Sequence, residues 1–160
     1  MIAHPIPPIY DGQSRVLILG SFPSVKSRAQ AFFYAHPQNR FWKMLSMILG
    51  KNLPETIEEK LRFLLENKIA LWDVIASCEI NGSSDSSIRN ASPNNIEIIL
   101  RSADINLIIA NGQTAKKYYD KFLRSVIRRD ALCLPSTSPA NARLSLENLI
   151  NEWQIIKQYL

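Results

Sequence analysis

The fold is decided by the stretch Arg15-Val-Leu-Ile-Leu-Gly20-Ser-Phe-Pro-Ser-Val-Lys-Ser-Arg28. Its four apolar residues, 16–19, end at a glycine, a pattern typical of a parallel strand that is buried on both faces. The loop that follows contains Ser and Pro and has no apolar periodicity of its own. Because ligands of open α/β sheets lie beyond the carboxyl ends of the strands, this loop is predicted to border a binding site.

A second segment, rich in aromatic and polar side chains, comes next: Phe32-Phe-Tyr34-Ala-His36-Pro-Gln-Asn39-Arg-Phe-Trp42. Beyond it, apolar residues recur at the i, i+3, i+4, i+7 spacing and predict a helix over residues 40–49, with Gly50 just past its end. Asn39 precedes this helix at a position suited to an N-cap. The loop and this segment together are expected to build a functional site.

The rest of the chain alternates predicted strands with predicted helices. Apolar runs predict three further strands, at residues 69–75, 107–110 and 131–134. A capping box of Thr56 and Glu59 begins one helix, and Ser92-Pro93 is expected to begin another. Apolar stripes predict helices near residues 115–122 and 146–156. This alternation predicts an α/β fold, a three-layer α/β/α arrangement with a four-stranded parallel sheet, as one domain over residues 1–160.

The composition is that of a globular chain of 160 residues, 46% hydrophobic and 21% charged, which argues against disorder. No apolar run approaches the roughly 18 residues of a membrane span. Residues 1–14 lack the features of a signal peptide, and their three prolines suggest a surface strap, so we expect a cytoplasmic protein. The net charge of +5 favours a polyanionic partner. Two cysteines and two histidines offer no ligand set for zinc or an iron–sulfur cluster.

Two strings in the chain resemble the motifs of the uracil-DNA glycosylase superfamily. The first is Gly20-Ser-Phe-Pro-Ser24 together with Tyr34-Ala-His-Pro-Gln-Asn-Arg-Phe-Trp42, and the second is Leu134-Pro-Ser-Thr-Ser-Pro-Ala-Asn-Ala-Arg143. Within the superfamily, these strings and the segments 85–90 and 110–115 are most similar to the DNA-deoxyinosine (hypoxanthine-DNA) glycosylases. The first motif also resembles that of the mismatch-specific uracil glycosylases.

The resemblance implies a DNA repair enzyme that takes a deaminated base, preferably hypoxanthine, out of double-stranded DNA and hydrolyses its N-glycosidic bond to leave an abasic site. It implies a monomer without cofactor or metal. Three alternatives stay open: a uracil or G:U/T mismatch-specific glycosylase, a DNA-binding module without activity, and a P-loop-like nucleotide kinase. Against the kinase, Val25 replaces the second glycine of the P-loop motif and Pro23 removes a backbone N–H.

The resemblance also assigns catalytic candidates, with two departures from the wider superfamily. Phe22 occupies the position where relatives carry a water-holding Asn or Asp, and Leu134 occupies that of a catalytic histidine. Asn39 is the nearest remaining polar side chain, and its amide can orient a water or grip the base. The backbone N–H groups of Ser21 and Phe22 can supply further dipoles. A plain helix cap is the alternative role for Asn39.

The remaining site residues are predicted to bind the base or the DNA. Tyr34 matches the position of the aromatic ring that relatives place against the flipped base. Asp73 ends a strand where relatives carry the asparagine that reads uracil, and its carboxylate would suit the N1–H donor of hypoxanthine; a helix cap or a salt bridge is the alternative. Gly20 and Pro23 complete the base-binding set. The predicted DNA contacts, including a wedge over residues 136–141, are Lys26, Arg28, Ser136, Thr137, Ser138, Pro139, Asn141 and Arg143.

Overall fold

The computed structural model describes residues 1–160, and its elements are numbered here in chain order. The strands are β1 (Ile2–Ala3), β2 (Val16–Gly20), β3 (Ile69–Asp73), β4 (Ile75–Glu79), β5 (Arg89–Pro93), β6 (Leu107–Asn111) and β7 (Leu132–Leu134). The helices are α1 (Val25–Gln30), α2 (Phe41–Leu49), α3 (Ile57–Glu66), α4 (Glu97–Leu100), α5 (Gln113–Phe122), α6 (Arg124–Ile127) and α7 (Leu146–Trp153), with 3-10 turns at Asp85–Ser87 and Gln154–Tyr159. None of the helices is long and apolar enough to cross a membrane.

The central sheet has four parallel strands in the order β3-β2-β6-β7. Every residue of β2 and β3 is buried, as expected for strands covered on both faces. The register places Gly20 beside Asp73 and Asn111 beside Leu134, so the carboxyl ends of all four strands meet at one edge. The predicted α/β fold with a four-stranded parallel sheet is confirmed.

A second sheet of three antiparallel strands, in the order β1-β4-β5, departs from the prediction. The single strand predicted over residues 69–75 breaks at Val74, where β3 ends and β4 turns into the second sheet. The helix predicted to begin at Ser92-Pro93 is also wrong, since both residues belong to β5. That strand lies at the edge of its sheet, where a proline costs no ladder hydrogen bond.

The N-terminal segment is anchored more deeply than the predicted surface strap. Ile6 and Ile9 are buried in the core, and Ile9 exchanges two backbone hydrogen bonds of 2.9 Å with Leu71 of β3. β1 adds to the second sheet by pairing with β4. Apolar residues between the prolines thus fasten the segment across the sheets and bring its His4 side chain to the carboxyl edge.

The helix predictions near the site hold with small changes. Helix α2 ends at Gly50, whose φ of 64° is the left-handed conformation that glycine adopts without strain. The N-cap position of α2 is Arg40, one residue later than predicted, and Asn39 instead bonds the first turn through its side chain. The loop after β2 contains an unpredicted short helix, α1, which Ser24 caps by accepting from the Ser27 N–H.

Candidate active site

A cavity of about 360 Å³ opens at the carboxyl edge of the central sheet. It is lined by residues 20–24, 27, 33, 34, 36, 39, 73, 83–86, 111 and 136–140. All seven residues predicted to act in catalysis or base binding lie in this wall, together with four of the predicted DNA contacts: Gly20, Ser21, Phe22, Pro23, Tyr34, Asn39, Asp73, Ser136, Thr137, Ser138 and Pro139. Lys26, Arg28, Asn141 and Arg143 lie outside it.

Asp73 presents a buried carboxylate to this cavity. Its Oδ2 accepts a hydrogen bond from Nε2 of His4 over 2.7 Å, and both side chains are about 5% exposed or less. The Ile6 N–H donates to Nδ1 of His4 over 3.2 Å, so this nitrogen is an acceptor and Nε2 carries the proton. One Asp73 oxygen is therefore held by His4, and Oδ1 is left for a ligand.

Gly20 gives Asp73 and Tyr34 room to approach each other. A Cβ on residue 20 would lie 2.4 Å from Asp73 Oδ1 and 3.2 Å from the Tyr34 hydroxyl oxygen. The first distance is far inside van der Waals contact, so any side chain here would push the carboxylate away. The glycine of the first motif thus serves the site by its lack of a side chain.

Tyr34 carries a hydroxyl with no partner. Its ring stacks on Phe41, with centroids 4.2 Å apart, and its φ of 51° is left-handed. The hydroxyl is buried and makes no hydrogen bond. Burial and the charge of Asp73 raise the pKa of this hydroxyl; the nearby Asn111 side chain, which is outside hydrogen-bond geometry, partly offsets this rise. Tyr34 therefore presents a neutral, unpaired O–H beside the free oxygen of Asp73.

The oxygen and the nitrogen of the Asn39 side-chain amide have different contacts. Its Oδ1 accepts from the Phe41 N–H over 2.9 Å. Because an N–H can only donate, the amide oxygen must face the helix, and the NH₂ group makes no hydrogen bond within the protein. The capping role and the donor role considered for Asn39 are therefore compatible, with the oxygen serving the first and the nitrogen the second.

The loop after β2 leaves two backbone donors free. The carbonyls of Gly20 and Ser21 accept from the N–H groups of Val74 and Ile75, which fixes the turn. The N–H groups of Ser21 and Phe22 donate to no group of the protein. The Ser21 hydroxyl donates to Asp85 Oδ1 over 3.0 Å, which ties the loop to the rim opposite.

Asp85 is a rim residue to which the sequence pattern assigned no role. Its partial desolvation and the nearby Asp73 charge raise the pKa of its carboxyl, while hydrogen bonds from Ser21 and Thr114 act in the opposite direction. The neighbouring serines 83, 84 and 86 complete this side of the cavity. This side of the cavity is therefore polar and carries one carboxyl group, that of Asp85.

The predicted wedge, residues 136–141, is held in place by hydrogen bonds within the protein. Thr137 is fully buried, and it exchanges two hydrogen bonds of 3.1 Å with the Asn111 side chain. Asn141 donates from Nδ2 to the Ser136 carbonyl over 3.0 Å. Thr137 and Asn141 thus hold the loop and leave Ser138 and Pro139 partly exposed at its tip, and the DNA contacts predicted for Thr137 and Asn141 stay predictions.

The predicted phosphate contacts also divide into two groups. Lys26 and Arg143 are exposed beside the cavity. Arg28 instead donates from Nη2 to the Gly82 carbonyl over 2.8 Å, and its guanidinium lies 5.7 Å from the centre of the Phe22 ring. Arg28 therefore braces the loop that carries the polar rim, and its role as a DNA contact stays a prediction.

Sequence reasoning missed His4 and left Asn111 without a role. Nothing local marks His4, which reaches the site only through the pairing of β1 with β4. Asn111 ends the buried strand β6 as Asp73 ends β3, and that shared position was a usable signal. No three His, Cys, Asp or Glu side chains converge in a way that could hold a metal ion.

Comparison with known proteins identifies relatives over nearly the whole chain. Residues 7–158 match the profile of the Uracil DNA glycosylase superfamily. A protein named hypoxanthine DNA glycosylase from Methanosarcina acetivorans is 35% identical over 98% of each chain, and one of the same name from Methanosarcina barkeri is 34% identical over 92% of each. The solution NMR structure of a candidate uracil DNA glycosylase from Methanosarcina acetivorans superimposes with a TM-score of 0.83, at 34% identity, over 98% of this chain and 96% of that one.

Proposed function

This chain belongs to the uracil DNA glycosylase superfamily, and from that premise we propose that it is a monofunctional DNA glycosylase that removes a deaminated base, preferably hypoxanthine, and leaves an abasic site. Its two curated relatives carry the name hypoxanthine DNA glycosylase. The cavity volume of about 360 Å³ is within the range of ligand pockets, which begins at roughly 300 Å³.

The observation that carries the proposal is the buried Asp73 carboxylate with one oxygen free. A flipped hypoxanthine carries an N1–H that can donate to this oxygen. Neutral adenine has a lone pair at N1, which would face the carboxylate with no proton between them. Uracil offers its N3–H in the same way, so uracil is the second substrate that this geometry favours.

The free donors around the cavity support the hydrolytic step. A water oxygen bonds to C1′ of the sugar, and the bond from C1′ to the base nitrogen breaks. Its electron pair leaves with the base, and the proton that the water gives up ends on the released base. Negative charge then grows on the base, where the N–H groups of Ser21 and Phe22 and the Asn39 amide can donate. The phenyl ring of Phe22 makes no hydrogen bond, so this residue can contribute only its backbone N–H.

The DNA-facing surface is proposed to surround the mouth of the cavity. Ser138 and Pro139 at the tip of the held loop would enter the space that the base leaves, and Lys26 and Arg143 would contact phosphates. We infer action on double-stranded DNA by a monomer in the cytoplasm, without metal or cofactor.

A panel of labelled duplexes tests the proposal, each with one hypoxanthine, uracil, xanthine or undamaged base. We expect free hypoxanthine and an alkali-labile abasic site, unaffected by EDTA, with no strand cleavage before alkali. A DNA-binding module would bind the lesion and release no base. A borohydride-trapped adduct would identify a glycosylase-lyase and contradict the single-function reaction.

A further inference from the structure

Ring stacking alone does not explain why residue 34 carries a buried hydroxyl group. A phenylalanine ring would stack on Phe41 equally well, without burying a polar group. An unpaired hydroxyl away from water is costly, and such groups in native sites call for a missing partner. Tyr34 is one of the residues that line the cavity, so a bound ligand is an available source of that partner.

This hydroxyl and the free oxygen of Asp73 form a complementary pair. Both lie within 3.2 Å of one point, the position that a Gly20 Cβ would occupy. Asp73 Oδ2 accepts a hydrogen bond from His4 Nε2, and Oδ1 of the carboxylate remains as a further acceptor. Tyr34 can donate, and its raised pKa keeps the proton on the oxygen. An acceptor and a donor thus lie near the same point beside Gly20, on residues that line the cavity.

Deamination reverses the hydrogen-bonding edge of a base in a way that this pair can detect. Adenine and cytosine present a ring-nitrogen acceptor beside an amino donor. Hypoxanthine and uracil present a ring N–H donor beside a carbonyl acceptor, the lactam group. An acceptor next to a donor matches the lactam and mismatches the amino form at both positions.

We propose that Tyr34 donates to the carbonyl oxygen of the flipped base while Asp73 accepts from the adjacent N–H, so that the two residues together recognise the lactam group. This inference rests on the proposed function and names its substrate class: purines and pyrimidines that carry a lactam edge. Guanine presents the same edge, so this pair of residues does not distinguish it from hypoxanthine.

The test is Tyr34→Phe, which keeps the ring and removes only the hydroxyl. Single-turnover release of hypoxanthine should fall on the order of 10–100-fold, the factor for a lost hydrogen bond to a buried group. The matched control is Tyr118→Phe, on α5 outside the cavity, which should excise at the parent rate. Thermal unfolding of both variants verifies the fold.

A second substrate identifies which atom the hydroxyl contacts. In 2′-deoxy-6-thioinosine a sulfur, a weak hydrogen-bond acceptor, replaces the carbonyl oxygen and the ring N–H remains. The parent should excise it at least several-fold more slowly than deoxyinosine, and Tyr34→Phe should lose most of that difference. Equal rates for the parent on the two substrates would overturn the inference without any variant.

The outcomes separate this inference from the function on which it rests. If the parent released no base from any duplex, the proposed function would fail and the inference with it. If the parent released hypoxanthine and Tyr34→Phe did so equally fast, only the inference would fail. A slower Tyr34→Phe enzyme that kept the full sulfur effect would show a structural hydroxyl and would likewise overturn it.

Discussion

His4 and Asp73, 69 positions apart in the sequence, form a hydrogen bond of 2.7 Å between two nearly inaccessible side chains. The imidazole ring is surrounded by Phe22, Phe33 and Trp72, with centroids 5.9–6.4 Å away, so it has little freedom to turn. The N-terminal segment is therefore part of the candidate site. It supplies the partner without which a buried carboxylate would be costly.

Replacing His4 by Phe keeps an aromatic ring in this surrounding and removes the donor. The free energy of unfolding should fall by about 1–3 kcal/mol, because a buried acceptor loses its partner. Hypoxanthine excision should fall with it, since Asp73 is no longer held toward the base. His4→Gln, which retains an N–H donor, should recover part of both quantities. Equal stability and activity for the parent and the Phe variant would show that the bond does not position Asp73.

Gly20→Ala should damage the site more than the fold. The new Cβ would lie 2.4 Å from Asp73 Oδ1, so the carboxylate must move away from its place in the cavity. We expect excision to fall at least tenfold, because reacting groups must be closely positioned. The unfolding temperature should change little. Gly12→Ala is the matched control, because its nearest neighbour would be an ordinary 3.7 Å away. Unchanged excision in Gly20→Ala would place the base elsewhere.

Sequence patterns predict the elements whose signals are local. The apolar run 16–19, the glycine after it and the periodicity of α2 are each contained in a few consecutive residues, and they locate Asn39 and Tyr34 at the site. The break at Val74 leaves no such signal, because residues 69–75 are buried on both sides of it. The apolar pattern alone therefore predicts one continuous strand over these residues.

Contacts between distant segments account for the rest. His4 reaches Asp73 through the β1–β4 pairing, which depends on how two sheets meet. Thr137 looks like a surface residue among Ser and Pro, yet Asn111 binds both its N–H and its hydroxyl. Neither fact follows from composition or periodicity, since each depends on which strand ends are neighbours.

Binding to DNA should weaken steeply as salt rises, because phosphate contacts release counterions. Lys26→Ala and Arg143→Ala should each weaken binding for every sequence and reduce the slope of log K against log salt by about 1. Lys121→Ala, an exposed cation on α5, is the comparison and should leave the slope unchanged. A reduced slope in Lys121→Ala alone would assign the DNA face to that basic helix.

Asp73→Asn should reverse the hydrogen-bonding pattern that the cavity favours on the edge of a bound base. The Nδ1 of His4 accepts from Ile6, so Nε2 must keep donating, and the new amide oxygen would turn toward it. The NH₂ would then face the base, where it opposes the N–H of both hypoxanthine and uracil. Release of both bases should fall on the order of 10²-fold, and free adenine should become a better competitor than free hypoxanthine. Retained hypoxanthine release would remove Asp73 from base recognition.

Variants of Asn39 can separate a contribution to folding stability from a contribution to the excision rate, because its two amide atoms have different partners. Asn39→Asp keeps an oxygen for the Phe41 N–H and replaces the free NH₂ by a second oxygen. Its stability should match that of the parent, while single-turnover excision falls by a factor on the order of 10²–10³, the scale for one lost donor to a developing anion.

Asn39→Ala removes both atoms, so it should show the same loss of rate and, in addition, a loss of about 1 kcal/mol in the free energy of unfolding. Ser145→Ala isolates that second effect, because the Ser145 hydroxyl caps α7 through the Asn148 N–H and lies outside the cavity. It should lose similar stability and excise at the parent rate. If Asn39→Asp were as active as the parent, the free NH₂ would play no part in the reaction. The growing charge on the base would then be met by other donors, among them the free backbone N–H groups of Ser21 and Phe22.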